Sequence, residues 1–213
     1  MSGAHPGRAG GPGGAAPPAR SDDAPRGKVY TRKGDDGTTQ LLFGGKDRVA
    51  KSSLRVNAYG DSDESVAALG VARFEATADD QDDVAQIVLT LQRELFVVNA
   101  ELATAPADIE RLTPGVSLVT GEMATALERQ IDTLTSAFEQ PKDFIVPGNT
   151  RLGAALDVAA RVVRRTERSI DALAAVEPVR PELRAYVNRL ADLVWVLARY
   201  AERDHRQPRP REG

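Results

Sequence analysis

Residues 149–175 read NTRLGAALDVAARVVRRTERSIDALAA, and their spacing decides the fold. At 100° per residue Leu152, Leu156, Ala159, Val162, Val163, Thr166, Ile170 and Leu173 share one broad face. Arg161, Arg164, Arg165 and Arg168 recur at i, i+3, i+4 and i+7 on the opposite face. Asn149 and Thr150 can cap this run, which predicts a helix over about 150–175. Downstream, Pro181 opens another helix, over about 181–203. Upstream, Met123, Leu127, Ile131, Leu134 and Phe138 predict a helix over about 118–139 that Pro141 ends. Val84, Ile87, Val88, Leu91, Leu95, Val98 and Leu102 mark another, over about 81–104. Asp61-Ser-Asp-Glu64 reads as N-cap and acidic first turn for a helix of about 62–77. Five long helices with short links predict an all-α, five-helix bundle.

Residues 28–60 are too rich in turns for a helix and predict a structured, Gly-rich loop, with Gly34, Gly37, Gly44 and Gly45 allowing close backbone approach. Residues 1–27 hold seven Gly, five Pro and six Ala, a composition that predicts a flexible tail. Residues 204–213 are polar and Pro-broken and predict a frayed end. The expected organisation is therefore a tail (1–27), one helical domain (28–203) and a second tail (204–213).

The 213-residue chain carries 28 Lys+Arg against 31 Asp+Glu, for a net charge of −3, and has no cysteine. Disulfides, thiolate metal sites, iron–sulfur clusters and cysteine nucleophiles are excluded together. Its two histidines, His5 and His205, lie near the ends, which argues against a histidine metal centre or a Ser-His-Asp triad. No apolar run approaches membrane length, and no secretory signal is evident; a cytoplasmic location is expected. The near-neutral balance argues against general nucleic-acid binding.

Four guanidiniums on one stripe repel unless an anion sits among them, and polyphosphate is the natural counterpart for their forks. The alternative is a solvated face compensated by acids on neighbouring helices. Glu167, between the two faces, can orient an arginine or accept from a hydroxyl. The loop Tyr30-Thr-Arg-Lys-Gly-Asp-Asp-Gly-Thr-Thr-Gln40 offers backbone N–H groups, Arg32, Lys33 and threonine hydroxyls as an anion cradle, with Lys51 nearby. It reads equally as an ordinary hairpin and holds no P-loop string. Phe144, beside Pro147-Gly148, reads as core or as the wall of an apolar pocket. Asn188, four residues before Asp192, reads as an interhelical hydrogen bond or as a ribose or base contact. Asp61, Asp63 and Glu64 read as caps or as acid partners for the arginine stripe.

Taken together, these segments resemble the PduO-type ATP:cob(I)alamin adenosyltransferase family. The residues that carry the resemblance are Tyr30-Thr-Arg-Lys-Gly-Asp-Asp-Gly-Thr-Thr39, Lys51, Ala58-Tyr-Gly-Asp-Ser-Asp-Glu64, Leu91-Gln-Arg-Glu-Leu95, Phe144-Ile-Val-Pro-Gly148, Arg164-Arg-Thr-Glu-Arg168 and Tyr186-Val-Asn-Arg-Leu-Ala-Asp192. They stand in family order over about residues 28–203. The family commonly has Arg where Ala160 stands; here the arginine is Arg161, one 100° step away, which bears on an intersubunit ion pair to Asp63. Ser65-Val66 replaces Leu-Asn, Asn149 replaces a second Gly, and Thr166 replaces a common Ala.

The resemblance implies a homotrimer of five-helix bundles with ATP held between neighbouring subunits. It implies that the 5′-deoxyadenosyl group of ATP passes to the cobalt of reduced cob(I)alamin or another corrinoid, giving adenosylcobalamin and triphosphate. Thr31, Arg32, Lys33, Gly34, Thr39, Gln40 and Lys51 match the nucleotide-holding loop. Arg164, Arg165, Thr166, Glu167 and Arg168 match the phosphate-binding helix, and Asn188 the nucleotide-contacting asparagine. Phe144 matches the aromatic beneath the corrin ring. Arg164, Arg165, Arg168 and Lys51 are the expected catalytic charges, with Mg²⁺ bridging phosphate oxygens rather than bound by side chains. No nucleic-acid or membrane partner is expected, and the product would pass to a cobalamin-dependent enzyme. A non-catalytic ATP or corrinoid carrier, or a helical interaction module, is the alternative.

Overall fold

Ser53 begins the first helix: its Oγ accepts the Val56 N–H at 3.4 Å, and α1 runs Leu54–Ala78. The sequence pattern placed this start near residue 62; instead Asp61, Ser62, Asp63 and Glu64 lie inside α1. The helix buries Arg55, Ala58, Ser62, Ser65, Leu69, Ala72 and Ala76. The spacing alternates three and four from the first turn, but the first four of these residues are charged, small or hydroxylic. Hydropathy is therefore silent where the helix begins.

The computed structural model describes residues 30–44, 47–142 and 145–203. Further helices are α2 (Asp82–Leu102), α3 (Gly121–Ser136), α4 (Arg151–Ala174) and α5 (Pro181–Ala201), with a short 3-10 turn at Pro106–Arg111. Thr150 caps α4 by accepting the Gly153 N–H at 2.9 Å. Proline opens α5 at a position where a missing N–H costs nothing. α3 is shorter than expected; Phe138 lies beyond it and meets the Tyr200 ring at 6.1 Å.

The helices pack in the order α2, α1, α4, α5, α3, and α2 also touches α5. Leu69, Leu95, Leu152, Leu156, Leu190 and Leu193 are fully buried between them. Each such side chain contributes about 1.5–3 kcal/mol on leaving water. The bundle is thus the expected all-α, five-helix architecture. Among the described residues, no helix is long and apolar enough to cross a membrane.

Residues up to Asp35 form one unit and those from Asp36 another. In the first, Arg32 adopts a positive φ of 59° and stacks 5.5 Å from the Tyr30 ring centroid. In the second, β1 (Thr38–Thr39) pairs antiparallel with β2 (Val49–Ala50). Arg48 Nε donates to Thr38 Oγ1 at 2.6 Å, and Thr38 holds the Asp36 carboxyl below its usual range by hydrogen bonding to it. The Leu42 N–H donates to the Ala103 carbonyl at 2.8 Å, joining this hairpin to the end of α2. Buried Arg55 reinforces that end: Nη1 donates to the Leu102 and Thr104 carbonyls, both at 3.0 Å, while Nε and Nη2 reach Glu177.

Candidate functional site

The arginines of α4 lie opposite its apolar stripe, and each meets a different environment. On the α5 side, Arg164 Nη2 stands 3.5 Å from Asp192 Oδ1. One turn along, Asn188 Nδ2 donates to Glu167 Oε1 at 2.6 Å. Another turn on, Arg184 Nη2 stands 2.9 Å from Asp171 Oδ1. Residues 164, 167 and 171 face 192, 188 and 184, so these pairs are successive rungs between antiparallel helices. The lower two rungs, with Ile170, Ala185 and Val187, line an open cavity of about 270 Å³. The seam therefore offers a guanidinium, a carboxylate, a carboxamide and apolar surface within a few turns.

On the α1 side the arrangement is closed. Arg165 Nε stands 3.5 Å from Asp61 Oδ1, and its Nη2 pairs with Glu64. The Glu64 hydrogen bond, above all, raises the guanidinium pKa further. Asp61 also accepts from Ser169 Oγ. Beneath them, Thr166 Oγ1 and Ser65 Oγ lie 2.9 Å apart, both fully buried. Thr166 thus faces α1 from the interior rather than joining the arginine face, as its apolar-stripe position dictates. The acid-partner reading of Asp61 and Glu64 holds within one chain.

The other two arginines are less enclosed. Arg168 is exposed, and its Nη1 donates to the Arg164 carbonyl at 3.0 Å. Arg161 lies 3.9 Å from Asp157 one turn earlier on its own helix. Ala160, where the family commonly carries arginine, is buried in the core, and Asp63 is exposed on α1.

Thr39 stands in β1 opposite Val49. Gln40 follows it, exposed, and the exposed Lys51 donates its N–H to the Gly37 carbonyl at 2.9 Å. In the first unit the Lys33 N–H donates to Thr31 Oγ1 at 3.5 Å, and Gly34 completes the turn there with Asp35. Phe144 lies outside the described residues.

Several buried polar groups were missed in reading the helical patterns. Tyr186 OH donates to Glu94 Oε2 at 2.8 Å. Burial raises the Glu94 carboxyl, and burial followed by the Glu94 charge raises the Tyr186 phenol well above its ordinary value. Glu101 accepts the Val119 N–H at 2.8 Å and is likewise raised by burial. Asp157, Arg199 and Glu202 form a third buried group. The available clue was a charge beside an inward-facing residue: Asp157 follows Leu156, Arg199 follows Ala198, and Glu202 follows Ala201.

The fold matches that of a PduO-type ATP:corrinoid adenosyltransferase variant from Lactobacillus reuteri, complexed with cobalamin and ATP, at a TM-score of 0.77 and 32% identity, covering 86% of this chain and 97% of that one. Residues 29–201 match the cobalamin adenosyltransferase family, and the chain belongs to it. It is 38% identical to the corrinoid adenosyltransferase of Citrobacter freundii over 175 residues, 82% of this chain and 95% of that protein. It is 36% identical to that of Mycobacterium tuberculosis strain H37Rv over 181 residues, 83% of this chain and 90% of the relative.

Proposed function

We propose that the chain transfers the 5′-deoxyadenosyl group of ATP to the cobalt of reduced cob(I)alamin or a related corrinoid. The cobalt(I) electron pair attacks C5′. The Co–C bond forms as the C5′–O bond breaks, and that bond's electrons leave on triphosphate. Because the metal centre is the nucleophile, the protein's tasks are to orient C5′ and to stabilise leaving-group charge.

The observation that carries this reading is the ladder between α4 and α5, where Arg164 stands one rung from the Glu167–Asn188 pair and its cavity. Arg164 and Arg168, with Lys51, take the triphosphate; each charge-assisted contact contributes about 1.5–3 kcal/mol. Asn188 and Glu167 take the nucleoside. Thr31, Arg32, Lys33, Gly34, Thr39 and Gln40 close over the nucleotide from a neighbouring subunit of a homotrimer. Arg165, already engaged by Asp61 and Glu64, braces α1 against α4. Phe144 lies beneath the corrin, where an apolar side chain displaces the lower axial ligand and favours reducible four-coordinate cobalt(II). Mg²⁺, held through the phosphate oxygens, would neutralise charge on the triphosphate. The setting is cytoplasmic, with the product passing to a cobalamin-dependent enzyme.

The test is to mix protein, Mg-ATP and chemically reduced cobalamin without oxygen. A light-sensitive alkylcobalamin spectrum with release of triphosphate is expected. ATP bound but left whole would make the chain a carrier and overturn the reading.

A further inference from the structure

The seam between α4 and α5 ends on a pair that the family motifs do not include. Asp171 lies beyond the Arg164–Arg168 motif, and Arg184 precedes the Tyr186–Asp192 motif. Arg184 Nε and Nη2 stand 3.0 and 2.9 Å from the same oxygen, Asp171 Oδ1. One oxygen thus takes both donors, and Asp171 Oδ2 meets no protein donor among the described residues. Each side chain is 53% exposed, so solvent screens the pair and it adds little to stability. A rung that the fold hardly needs therefore closes the end of a cavity.

That cavity is lined with acceptors. Asn188 Nδ2 donates to Glu167 Oε1, which leaves Glu167 Oε2 and Asn188 Oδ1 without a protein donor among the described residues. With Asp171 Oδ2, three oxygen acceptors share one seam, over Ile170 and Val187, each 1% exposed. The one guanidinium in the lining, that of Arg184, is engaged by Asp171. A ligand that fits carries N–H and O–H donors along an apolar body. One that carries an oxygen in their place sets two acceptors against each other.

We infer that Asp171 is a specificity-determining residue that selects a 6-aminopurine over a 6-oxopurine. This rests on the adenosyl transfer proposed above, in which Arg164 meets the triphosphate and Glu167 and Asn188 meet the nucleoside. From residue 164 to residue 171 the helix rises about 10 Å. Phosphate at the first rung and ribose at the second leave the base for the third. There the adenine 6-amino group donates to Asp171 Oδ2 while the ring covers Ile170 and Val187. Hypoxanthine has a carbonyl oxygen at that position, which the carboxylate repels. Arg184 steadies the carboxylate by holding its other oxygen.

The probes are Mg-ATP and Mg-ITP, whose purines differ at C6 and in the proton on N1. In the parent, calorimetric titration and turnover from chemically prepared cobalt(I) should both favour ATP, by about a hundredfold. Asp171→Asn offers an amide N–H to the 6-oxo group and should cut that preference about tenfold. Asp171→Ala, with neither donor nor acceptor, should lower ATP affinity about tenfold and leave ITP affinity undiminished. A parent that takes both nucleotides equally, or an Asp171→Asn variant that keeps the parental preference within about threefold, would overturn the inference. So would equal losses for both nucleotides in Asp171→Ala, which would make the side chain a general support of the seam. A parent that binds Mg-ATP yet forms no alkylcobalamin would instead defeat the proposed reaction, and the calorimetric preference would still decide base selection.

Discussion

The two seams of α4 use similar residues to different ends. Toward α1, Arg165 is held by two carboxylates, Asp61 also takes Ser169, and a buried pair of hydroxyls lies beneath. Toward α5, Arg164 has one carboxylate partner at 3.5 Å, and the next rungs open into a cavity. Adjacent arginines thus differ by 100° in direction and by the number of acids that meet them. Two anions around one cation leave little electrostatic gain for a phosphate. A single loose pair leaves donor capacity on the guanidinium, whose five N–H groups exceed what Asp192 can accept. The difference teaches that charge on a helix face does not by itself make a site; what the neighbouring helix sets opposite it does.

The largest expected effect falls on the α5 side. Arg164→Ala should weaken ATP binding and kcat/KM by about ten- to a hundredfold, the equivalent of one charge-assisted contact. Its melting temperature should move by less than about 3 °C, since the pair with Asp192 is half-exposed. Calorimetric titration with Mg-ATP and a thermal melt check both halves. Normal ATP binding with an early melt would make the two seams alike and break the comparison.

A smaller effect, of the opposite kind, belongs to the α1 side. Arg165→Ala should cost about 1 kcal/mol of stability, because the guanidinium is 42% exposed and solvent screens its pairs. Turnover at low temperature should remain within about threefold of the parent. Urea midpoints and cold single-turnover assays separate these outcomes. A collapse of ATP affinity with unchanged midpoints would return Arg165 to the phosphates.

The fold was legible wherever burial is apolar. Leu152, Leu156, Ile170 and Leu173 announce α4, and the stripe from Val84 to Leu102 announces α2, because one wide apolar face at helical spacing has few other readings. The start of α1 was hidden because Arg55, Ala58, Ser62 and Ser65 are buried without being apolar. Of the site, the arginine stripe and the Asn188–Asp192 side of α5 could be read from spacing alone. The partners could not: that Arg165 meets Glu64, or Asn188 meets Glu167, depends on which helix lies beside which. Spacing within one helix carries no information about that. Glu202 was harder still, since its carboxylate accepts the backbone N–H groups of Asn149 and Thr150, far earlier in the chain, in space left by the missing side chain of Gly153.

The smallest effect tests the floor of the α1 seam. Ser65 Oγ also stands 3.1 Å from the Asp61 carbonyl, and Thr166 Oγ1 3.3 Å from that of Val162. Two hydroxyl protons therefore serve three contacts, and either hydroxyl keeps an acceptor when the other is removed. Ser65→Ala and Thr166→Val should each cost only about 0.5–1 kcal/mol, with the double variant costing less than their sum. ATP affinity should not change in Thr166→Val, because that side chain points into the bundle. Strict additivity in urea midpoints would mean the hydroxyls do not meet in solution. The α1 seam would then rest on Arg165 alone, and its contrast with the α5 seam would narrow to a count of carboxylates.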